Sequence, residues 1–206
     1  MSTEMLQDYM SRCGDAERLA FTAALQCSPV FTGIKAAGLF VVNQSQYAEL
    51  TSMLQGSGVS CRCLALHREK AAVLLFRSRR LAAHLAKPEI AAYLREHGYQ
   101  DGGLNRQLVQ LSERYHAYVE HRAEFPHEMG VFLEYPLEDI RGFVEQNGKN
   151  CLFCGYWKVY SNESAAREKF RAYDEAKEEV LAQVIDGRSL RDITYSYTKK
   201  KRRQRQ

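Results

Sequence analysis

A histidine and a glutamate lie next to each other in the segment Phe125 to Gly130, directly after a long predicted helix. Histidine titrates near neutral pH, so His127 and the carboxylate of Glu128 could act as a general acid or base, or could bind a metal ion. The same residues also suit the start of a helix, because Pro126 fits the first turn and Glu128 would interact favourably with the helix dipole there. The sequence leaves both interpretations open, and His127 and Glu128 are the first two catalytic candidates.

Several enzyme signatures are missing from the sequence. A zinc-protease motif needs two histidines at helical spacing around a glutamate, and only His127 accompanies Glu128. The sequence contains neither a glycine-rich phosphate loop followed by lysine and serine nor a dinucleotide-binding glycine fingerprint. The serine-hydrolase pattern Gly-x-Ser-x-Gly is missing as well. These observations exclude four common enzyme classes and identify no substrate, reaction or cofactor.

Two pairs of cysteines could take part in redox or metal chemistry. Cys151 and Cys154 have the C-x-x-C spacing of a redox motif or of half a zinc site. Cys61 and Cys63 would lie on the same face of a predicted strand, where they could complete four zinc ligands. Buried cysteines also commonly behave as small hydrophobic residues, so the spacing alone assigns no metal site.

Cys27 is the third catalytic candidate, as a nucleophile with His127 as its base. It lies just before Ser28 and Pro29, at the end of a predicted helix, and the helix C-terminus would raise the pKa of its thiol. The pair therefore needs a fold that brings Cys27 to His127. Six cysteines in 206 residues are too few for a disulfide-dense scaffold, so we expect free thiols in a reducing compartment.

The sole tryptophan lies in an aromatic segment, Gly155 to Tyr160, that reads as part of a strand from Leu152 to Tyr160. In such a strand Tyr156, Lys158 and Tyr160 would share one face, and Trp157 would lie on the other. Two phenols beside an amine suit a planar or anionic ligand, although an amphipathic edge strand has the same pattern.

Alternating helix and strand signals surround these segments. Apolar residues at helical spacing predict a long helix from Leu104 to Tyr118, and Pro29 is expected to break the chain after an earlier helix. The remaining predicted elements are the helices Thr3–Cys13, Asp15–Gln26, one capped by Asn43 or Ser45 and running to Gln55, Arg79–Ala86, one after Pro88, one after Pro136 and one after Asn162, the strand Ala37–Val42, and the hairpin of Val59–Leu66 and Ala71–Phe76. This order predicts a single α/β or α+β domain over residues 1–193, with a small sheet of three to five strands covered by helices.

The positive charge is concentrated at one end of the chain. The formal net charge is +4, and six basic residues lie between Lys199 and Arg205, so the other residues together carry −2. Nucleic-acid binding would therefore depend on this end alone, residues 194–206, which we expect to be a disordered basic tail. No apolar run approaches the length of a membrane span, and the N-terminus lacks a secretory pattern, so we expect a cytoplasmic protein.

Taken together, several segments resemble one bacterial family, catalogued as domain of unknown function 3793. The similar segments are Cys27-Ser28-Pro29, Gly33-Ile34-Lys35, Phe125-Pro126-His127-Glu128 with Gly130, Phe132-Leu133, Tyr135-Pro136, Glu138-Asp139, Gly142-Phe143 and Gly155 to Tyr160. The resemblance implies a small bacterial protein with an iron- or redox-linked role by analogy, since relatives tend to occur near flavodoxin or iron-uptake functions.

Two functional hypotheses follow. In the first, the domain binds or converts a small molecule through residues in the similar segments, with catalytic candidates His127, Glu128 and Cys27 and with ligand-binding candidates Lys35, Tyr135, Tyr156, Trp157, Lys158 and Tyr160. In the second, the protein is a noncatalytic adaptor whose basic end docks an acidic partner such as a flavodoxin.

Overall fold

The apolar run Ala71 to Phe76 lies in the central strand of a three-stranded sheet. The computed structural model describes residues 3–203, with side chains for residues 8–199. The antiparallel strands β1 (Ala37–Asn43), β2 (Ser60–His67) and β3 (Lys70–Phe76) are arranged in the order β1-β3-β2. Because β3 has a neighbour on each side and helices over both faces, it buries every residue after Lys70.

Helices cover both faces of this sheet. They are α1 (Thr3–Arg12), α2 (Asp15–Phe31), α3 (Tyr47–Met53), α4 (Ser78–Leu85), α5 (Pro88–Glu96), α6 (Gly103–Val119), α7 (Met129–Phe132), α8 (Leu137–Glu145), α9 (Glu163–Ile185) and α10 (Leu190–Arg203). A second, two-stranded sheet consists of β4 (Phe153–Cys154) and β5 (Lys158–Val159). The predicted α+β class, the small sheet and the single domain are confirmed.

The sheet separates two apolar cores. Leu74 faces the core formed with α4 to α8, while Val73 faces the core formed with α2, α3, α9 and α10. A third, smaller cluster joins the β4–β5 hairpin to α9, through Trp157, Phe170 and Tyr173. The side-chain alternation of the strands thus assigns each helix to one side of the sheet.

The expected break at Pro29 is wrong, because α2 continues through this residue to Phe31. A proline in the last turn removes only one backbone hydrogen bond, that to the carbonyl of Leu25, which lies on the exposed side of the helix. The hydroxyl of Ser28 donates to the carbonyl of Ala24 in the same turn. Cys27 therefore lies inside the helix rather than just after it.

The expected single strand from Leu152 to Tyr160 is also wrong, because the segment folds back on itself as the β4–β5 hairpin. The Leu152 N–H donates to the Val159 carbonyl at 2.8 Å, and the Gly155 N–H donates to the Trp157 carbonyl at 3.1 Å. Gly155 is required here, since a Cβ at this position would overlap the ring of Phe170. Tyr156, Lys158 and Tyr160 consequently do not share one strand face.

Helix α10 corrects the expected disordered tail, since residues 190–203 are helical. Leu190, Ile193 and Thr194 are buried, and Tyr197 packs beside them. Their spacing of i, i+3, i+4 and i+7 places them on one helix face, a pattern hidden by the polar composition. Residues 204–206 of the expected tail lie outside the described residues. Across residues 3–203, every helix is too short or too polar for a membrane span.

Candidate functional site

The Phe125–Phe143 segment and the β4–β5 hairpin fold around one cavity of about 260 Å³, which we name the His127 cavity. It is lined by Leu39, Phe125, His127, Met129, Gly130, Leu133, Tyr135, Asp139, Ile140, Phe143, Trp157 and Lys158. Four predicted site residues, His127, Tyr135, Trp157 and Lys158, therefore lie around the same space. Most of the remaining lining is apolar.

Close packing of α7 against α8 forms the floor of the His127 cavity. A Cβ at Gly130 would lie 2.9 Å from Cγ1 of Ile140, so glycine is the residue that permits this approach. The His127 ring lies between two aromatic rings, with centroid distances of 5.6 Å to Phe125 and 5.4 Å to Phe143. These contacts orient the imidazole at the cavity wall.

Asp139 fixes the hairpin to α8. Its carboxylate is buried and accepts four hydrogen bonds: from Trp157 Nε1 at 2.7 Å, from the Tyr160 N–H at 2.8 Å, and from the N–H and hydroxyl of Ser161 at 2.9 and 2.8 Å. Hydrogen bonds to an ionised acceptor are shorter and stronger than those between neutral groups. Asp139 therefore sets the position of one whole wall of the His127 cavity.

Trp157 and Tyr135 form that wall. Their rings stack with centroids 5.2 Å apart, and the Phe170 ring meets Trp157 edge-on at 4.4 Å. The Tyr135 hydroxyl donates to the Tyr156 carbonyl at 3.2 Å. Trp157 is only 7% exposed, so it is a packed structural residue as well as a lining residue.

Among the polar side chains that line the His127 cavity, Lys158 and Asp139 already form hydrogen bonds with other protein groups, whereas His127 does not. Lys158 Nζ donates to the Gly148 carbonyl at 2.7 Å, and both Asp139 oxygens accept protein donors. Within residues 8–199, the ring nitrogens of His127 make no hydrogen bond. His127 is thus the polar group that a bound molecule can engage.

Glu128 points away from the His127 cavity, so the predicted His127–Glu128 acid–base pair is not formed. The carboxylate accepts a hydrogen bond from the Tyr99 hydroxyl at 3.2 Å and pairs with Arg114 at 3.1 Å. These contacts join the start of α7 to α6 and to the segment between α5 and α6. With its side chain 5% exposed, Glu128 has a structural role.

Cys27 is not brought to His127. Cys27 belongs to the core on one side of the sheet, whereas the His127 cavity is lined by residues of the core on the other side, among them Met129 and Ile140. Burial raises the pKa of the Cys27 thiol to about 12, an effect that the nearby Lys35 charge only partly opposes. The direction of this shift was expected, but its main cause is burial rather than a helix end. A thiol with this pKa is protonated at neutral pH, so the proposed nucleophile–base pair is not formed.

The two predicted cysteine pairs, Cys61 with Cys63 and Cys151 with Cys154, do not come together as four zinc ligands. Cys61 and Cys63 are half-buried on β2, and burial raises the pKa of both thiols. Cys151 is half-buried and Cys154 is exposed at the hairpin. In the part of the chain that the structure describes, no three His, Cys, Asp or Glu side chains are placed to hold a metal ion together.

Lys35 lies at a second cavity, about 570 Å³ in volume, which we name the Lys35 cavity. It shares Leu39, Leu133 and Tyr135 with the His127 cavity and is otherwise bounded by α2, α9 and the hairpin. Tyr156 lines it, whereas Tyr160 packs against Phe143 and lines neither cavity. The predicted ligand-binding residues are therefore divided between two neighbouring cavities.

Burial lowers the pKa of the Lys35 ammonium from 10.5 to about 8, although Cys27 and Glu134 oppose this effect and Lys169 adds to it. Lys35 is 8% exposed, and its Nζ lies 5.2 Å from the Tyr135 ring centroid and 5.7 Å from that of Tyr173. The cation–π contacts offset part of the cost of removing the charge from water.

We expect Lys35→Met to increase the unfolding free energy by about 1–2 kcal/mol at neutral pH, since it removes a buried charge and keeps the side-chain volume. Below pH 8 Lys35 is protonated in both the folded and the unfolded wild-type chain, so the wild type bears the full cost of burying the charge. This cost disappears as the pH rises from about 8 to 10.5, because the folded chain loses the proton first. Urea denaturation of both proteins across this range measures the difference. If the stability difference between Lys35→Met and wild type does not shrink with rising pH, burial of the Lys35 charge is not the cause of that difference.

All of these residues lie within one stretch that matches a known family. The family described as a protein of unknown function, DUF3793, matches residues 23–194. The chain belongs to the DUF3793 family. The resemblance inferred from the sequence is thereby confirmed. No curated protein and no solved structure matches the chain.

Within the part that matches DUF3793, sequence reasoning missed two important site residues. Asp139 belongs to the similar segment Glu138-Asp139, but its type does not indicate a role at the site, because an acidic residue in the first turn of a helix usually interacts with the helix dipole. Leu39 on β1 carries no signal in the sequence, since an apolar residue in a strand is ordinary. Only the proximity of Asp139 to the hairpin would have revealed its function.

Proposed function

We propose that this DUF3793 protein binds a compact, largely apolar small molecule in the His127 cavity, with one hydrogen-bonding group of that molecule directed at His127. The observation that carries this proposal is that two segments with unusual residues enclose a single cavity of about 260 Å³. An unbonded imidazole in a mostly apolar lining is typical of small-molecule sites, which combine apolar lining with a few polar groups.

The size of the His127 cavity limits the ligand. A cavity of about 150 Å³ lined by apolar side chains is enough for benzene. A volume of 260 Å³ therefore has room for a fused pair of rings or a short branched chain. The aromatic rings of Phe143 and Trp157 in the lining favour a planar molecule, because rings pack well in stacked or edge-on arrangements.

The geometry favours binding over general acid–base catalysis. A catalytic histidine is usually oriented by a second group that bonds its other ring nitrogen. Glu128 and Cys27 lie elsewhere, and the nearest carboxylate in the lining, Asp139, is engaged by the hairpin. His127 is thus suited to select a ligand by one hydrogen bond.

The test uses 2-naphthol as a probe, measured by calorimetry and by the indole N–H signal of Trp157, the sole tryptophan. We expect Ile140→Phe, which places a ring in the cavity, to weaken binding at least tenfold. His127→Phe should weaken binding of 2-naphthol by about five- to tenfold, since a single hydrogen bond contributes about 1 kcal/mol. Naphthalene, which lacks the hydroxyl, should bind equally to wild type and His127→Phe.

The matched control is Leu66→Phe, which adds a ring at an exposed position on β2 and should leave probe binding unchanged. Circular dichroism checks that each variant is folded. If Ile140→Phe does not fold, His127→Phe still tests the polar contact because its aromatic packing is preserved. Equal 2-naphthol binding by wild type and both folded variants would refute the proposal.

Finer expectations from the sequence and the family resemblance stay predictions. They are an iron- or redox-linked role, docking of an acidic flavodoxin-like partner, nucleic-acid binding through the basic end, and a cytoplasmic location. The basic run begins at the end of α10, and its side chains from residue 200 lie outside the described set. The small-molecule proposal depends on none of them.

A further inference from the structure

Lys35 carries a buried ammonium group. Among residues 8–199, its Nζ takes part in no hydrogen bond or ion pair, although the residue is only 8% exposed and lines the Lys35 cavity. Burying a charge is costly unless a partner of opposite charge or a set of hydrogen bonds compensates it. An anion in the cavity would supply that missing partner.

The carboxylates near Lys35 are already engaged. Glu134 pairs with Arg80 at 3.1 Å and also accepts the Ala36 N–H. Asp174, in the lining of the cavity, pairs with Lys177 at 2.7 Å and accepts the Tyr156 hydroxyl at 2.9 Å. The charge of Asp174 is thus balanced by Lys177, and the positive charge of Lys35 is left over in the cavity.

Aromatic side chains provide the rest of the Lys35 cavity. Tyr135, Tyr156 and Phe170 line it, and Phe170 lies 5.4 Å from Tyr156 between ring centroids. The neighbouring Tyr173 hydroxyl is buried and has no hydrogen-bond partner within the described part of the chain. Among residues 8–199, the Lys35 ammonium and the neighbouring Tyr173 hydroxyl therefore lack hydrogen-bond partners, beside a cavity lined by aromatic rings.

We propose that the Lys35 cavity binds an oxyanion carried by a planar aromatic molecule, with the anionic group at Lys35 and the ring against Tyr135, Tyr156 and Phe170. The volume of about 570 Å³ accommodates such a molecule. The ammonium and the ring contacts select different parts of one ligand, which favours an aromatic acid over a simple ion. The Lys35 cavity adjoins the His127 cavity and shares Tyr135 with it, but this proposal does not depend on 2-naphthol binding in the His127 cavity.

The probe is benzoate, titrated into the full-length protein by calorimetry at neutral pH and low salt, with the neutral isostere benzamide for comparison. We expect benzamide to bind at least tenfold more weakly than benzoate, and Lys35→Met to weaken benzoate binding at least tenfold. Lys149→Met is the matched control: it removes an exposed lysine that lines neither cavity, and should change affinity less than threefold.

Inorganic phosphate distinguishes the two sources of the oxyanion. Displacement of benzoate by phosphate at similar concentration supports the site and indicates a phosphate-bearing ligand, whereas failure of phosphate to compete supports a carboxylate. Benzoate binding that is equal in wild type and Lys35→Met would overturn the proposal, as would the absence of a Lys35-dependent response to both anions. Lys35→Met is expected to fold, since it relieves a buried charge.

The pH dependence gives a second readout. Because the ammonium loses its proton as the pH rises through about 8, benzoate affinity should fall about tenfold between pH 7 and pH 9. The groups that face Lys35 are Cys27, Glu134, Tyr135, Lys169 and Tyr173. Burial raises the pKa of Cys27 to about 12 and also raises those of both tyrosines. If benzoate affinity still falls with rising pH in Lys35→Met, the titrating group is Lys169, and the assignment of the anion site to Lys35 is overturned.

Discussion

An Asp139→Ala variant is expected to lose about 3–5 kcal/mol of unfolding free energy. The substitution leaves four donors without their acceptor: Trp157 Nε1, the Tyr160 N–H, and the N–H and hydroxyl of Ser161. Each buried donor that loses its partner costs about 1–3 kcal/mol, and water can reach some of them after the change. A loss of this size is a large part of the stability of an ordinary domain, which is about 5–15 kcal/mol.

Urea denaturation of Asp139→Ala and of Glu138→Ala measures this loss against a matched control. Glu138 is the neighbouring acidic residue in the first turn of α8 and is exposed, so its replacement should change stability by less than about 1 kcal/mol. Asp139→Asn should have an intermediate effect, because an amide provides only one acceptor oxygen. Equal stability of the Asp139→Ala and Glu138→Ala variants would show that the four hydrogen bonds do not hold the hairpin.

The same change should affect the proposed binding function. Asp139 holds Trp157 in place, and Trp157 stacks on Tyr135 in the wall of the His127 cavity. Stability and the proposed ligand binding are therefore expected to depend on one carboxylate whose oxygens are engaged by the hairpin, so Asp139 is a positioning residue. An acidic residue in a family motif can thus be important for a site because it positions other residues.

Much of the fold could be predicted because its signals are local. The apolar run at Ala71–Phe76 gave a buried strand, the period of Leu104 to Tyr118 gave α6, and Asn162 caps α9 by accepting the Ala165 N–H at 3.0 Å. The predictions were wrong where tertiary packing overrode a local sequence rule. Pro29 stays helical because only one hydrogen bond is lost, and α10 is helical because its few apolar residues share one buried face.

The candidate site was predictable only in part, because contacts between distant residues leave no trace in a single sequence. His127, Tyr135 and Trp157 were grouped by their unusual residue types, and the structure brings them to one cavity. The partners of Glu128 lie 14 and 29 residues away, on α6 and in the segment before it. Nothing in the residue types distinguishes a carboxylate that faces a ligand from one that joins helices.

A Gly142→Ala variant provides the complementary test of how α8 meets the hairpin, with an expected loss of about 2–4 kcal/mol. In the middle of a helix alanine is normally about 1 kcal/mol better than glycine. Here the added Cβ would lie 2.6 Å from Cβ and 2.7 Å from Cγ of Tyr160. These atoms are close to the Tyr160 backbone, whose N–H is held by Asp139, so the ring cannot simply rotate away, and overpacking of this kind is destabilising.

Urea denaturation with Glu145→Ala as control separates this clash from a general effect on α8, because Glu145 is exposed on the same helix and should change stability by less than about 0.5 kcal/mol. A Gly142→Ala protein as stable as wild type would contradict the close approach. In the Asp139→Ala background the hairpin is free to move, so Gly142→Ala should cost less there than in wild type. Additive losses would mean that Asp139 and Gly142 act independently, whereas the structure requires them to be coupled through Tyr160.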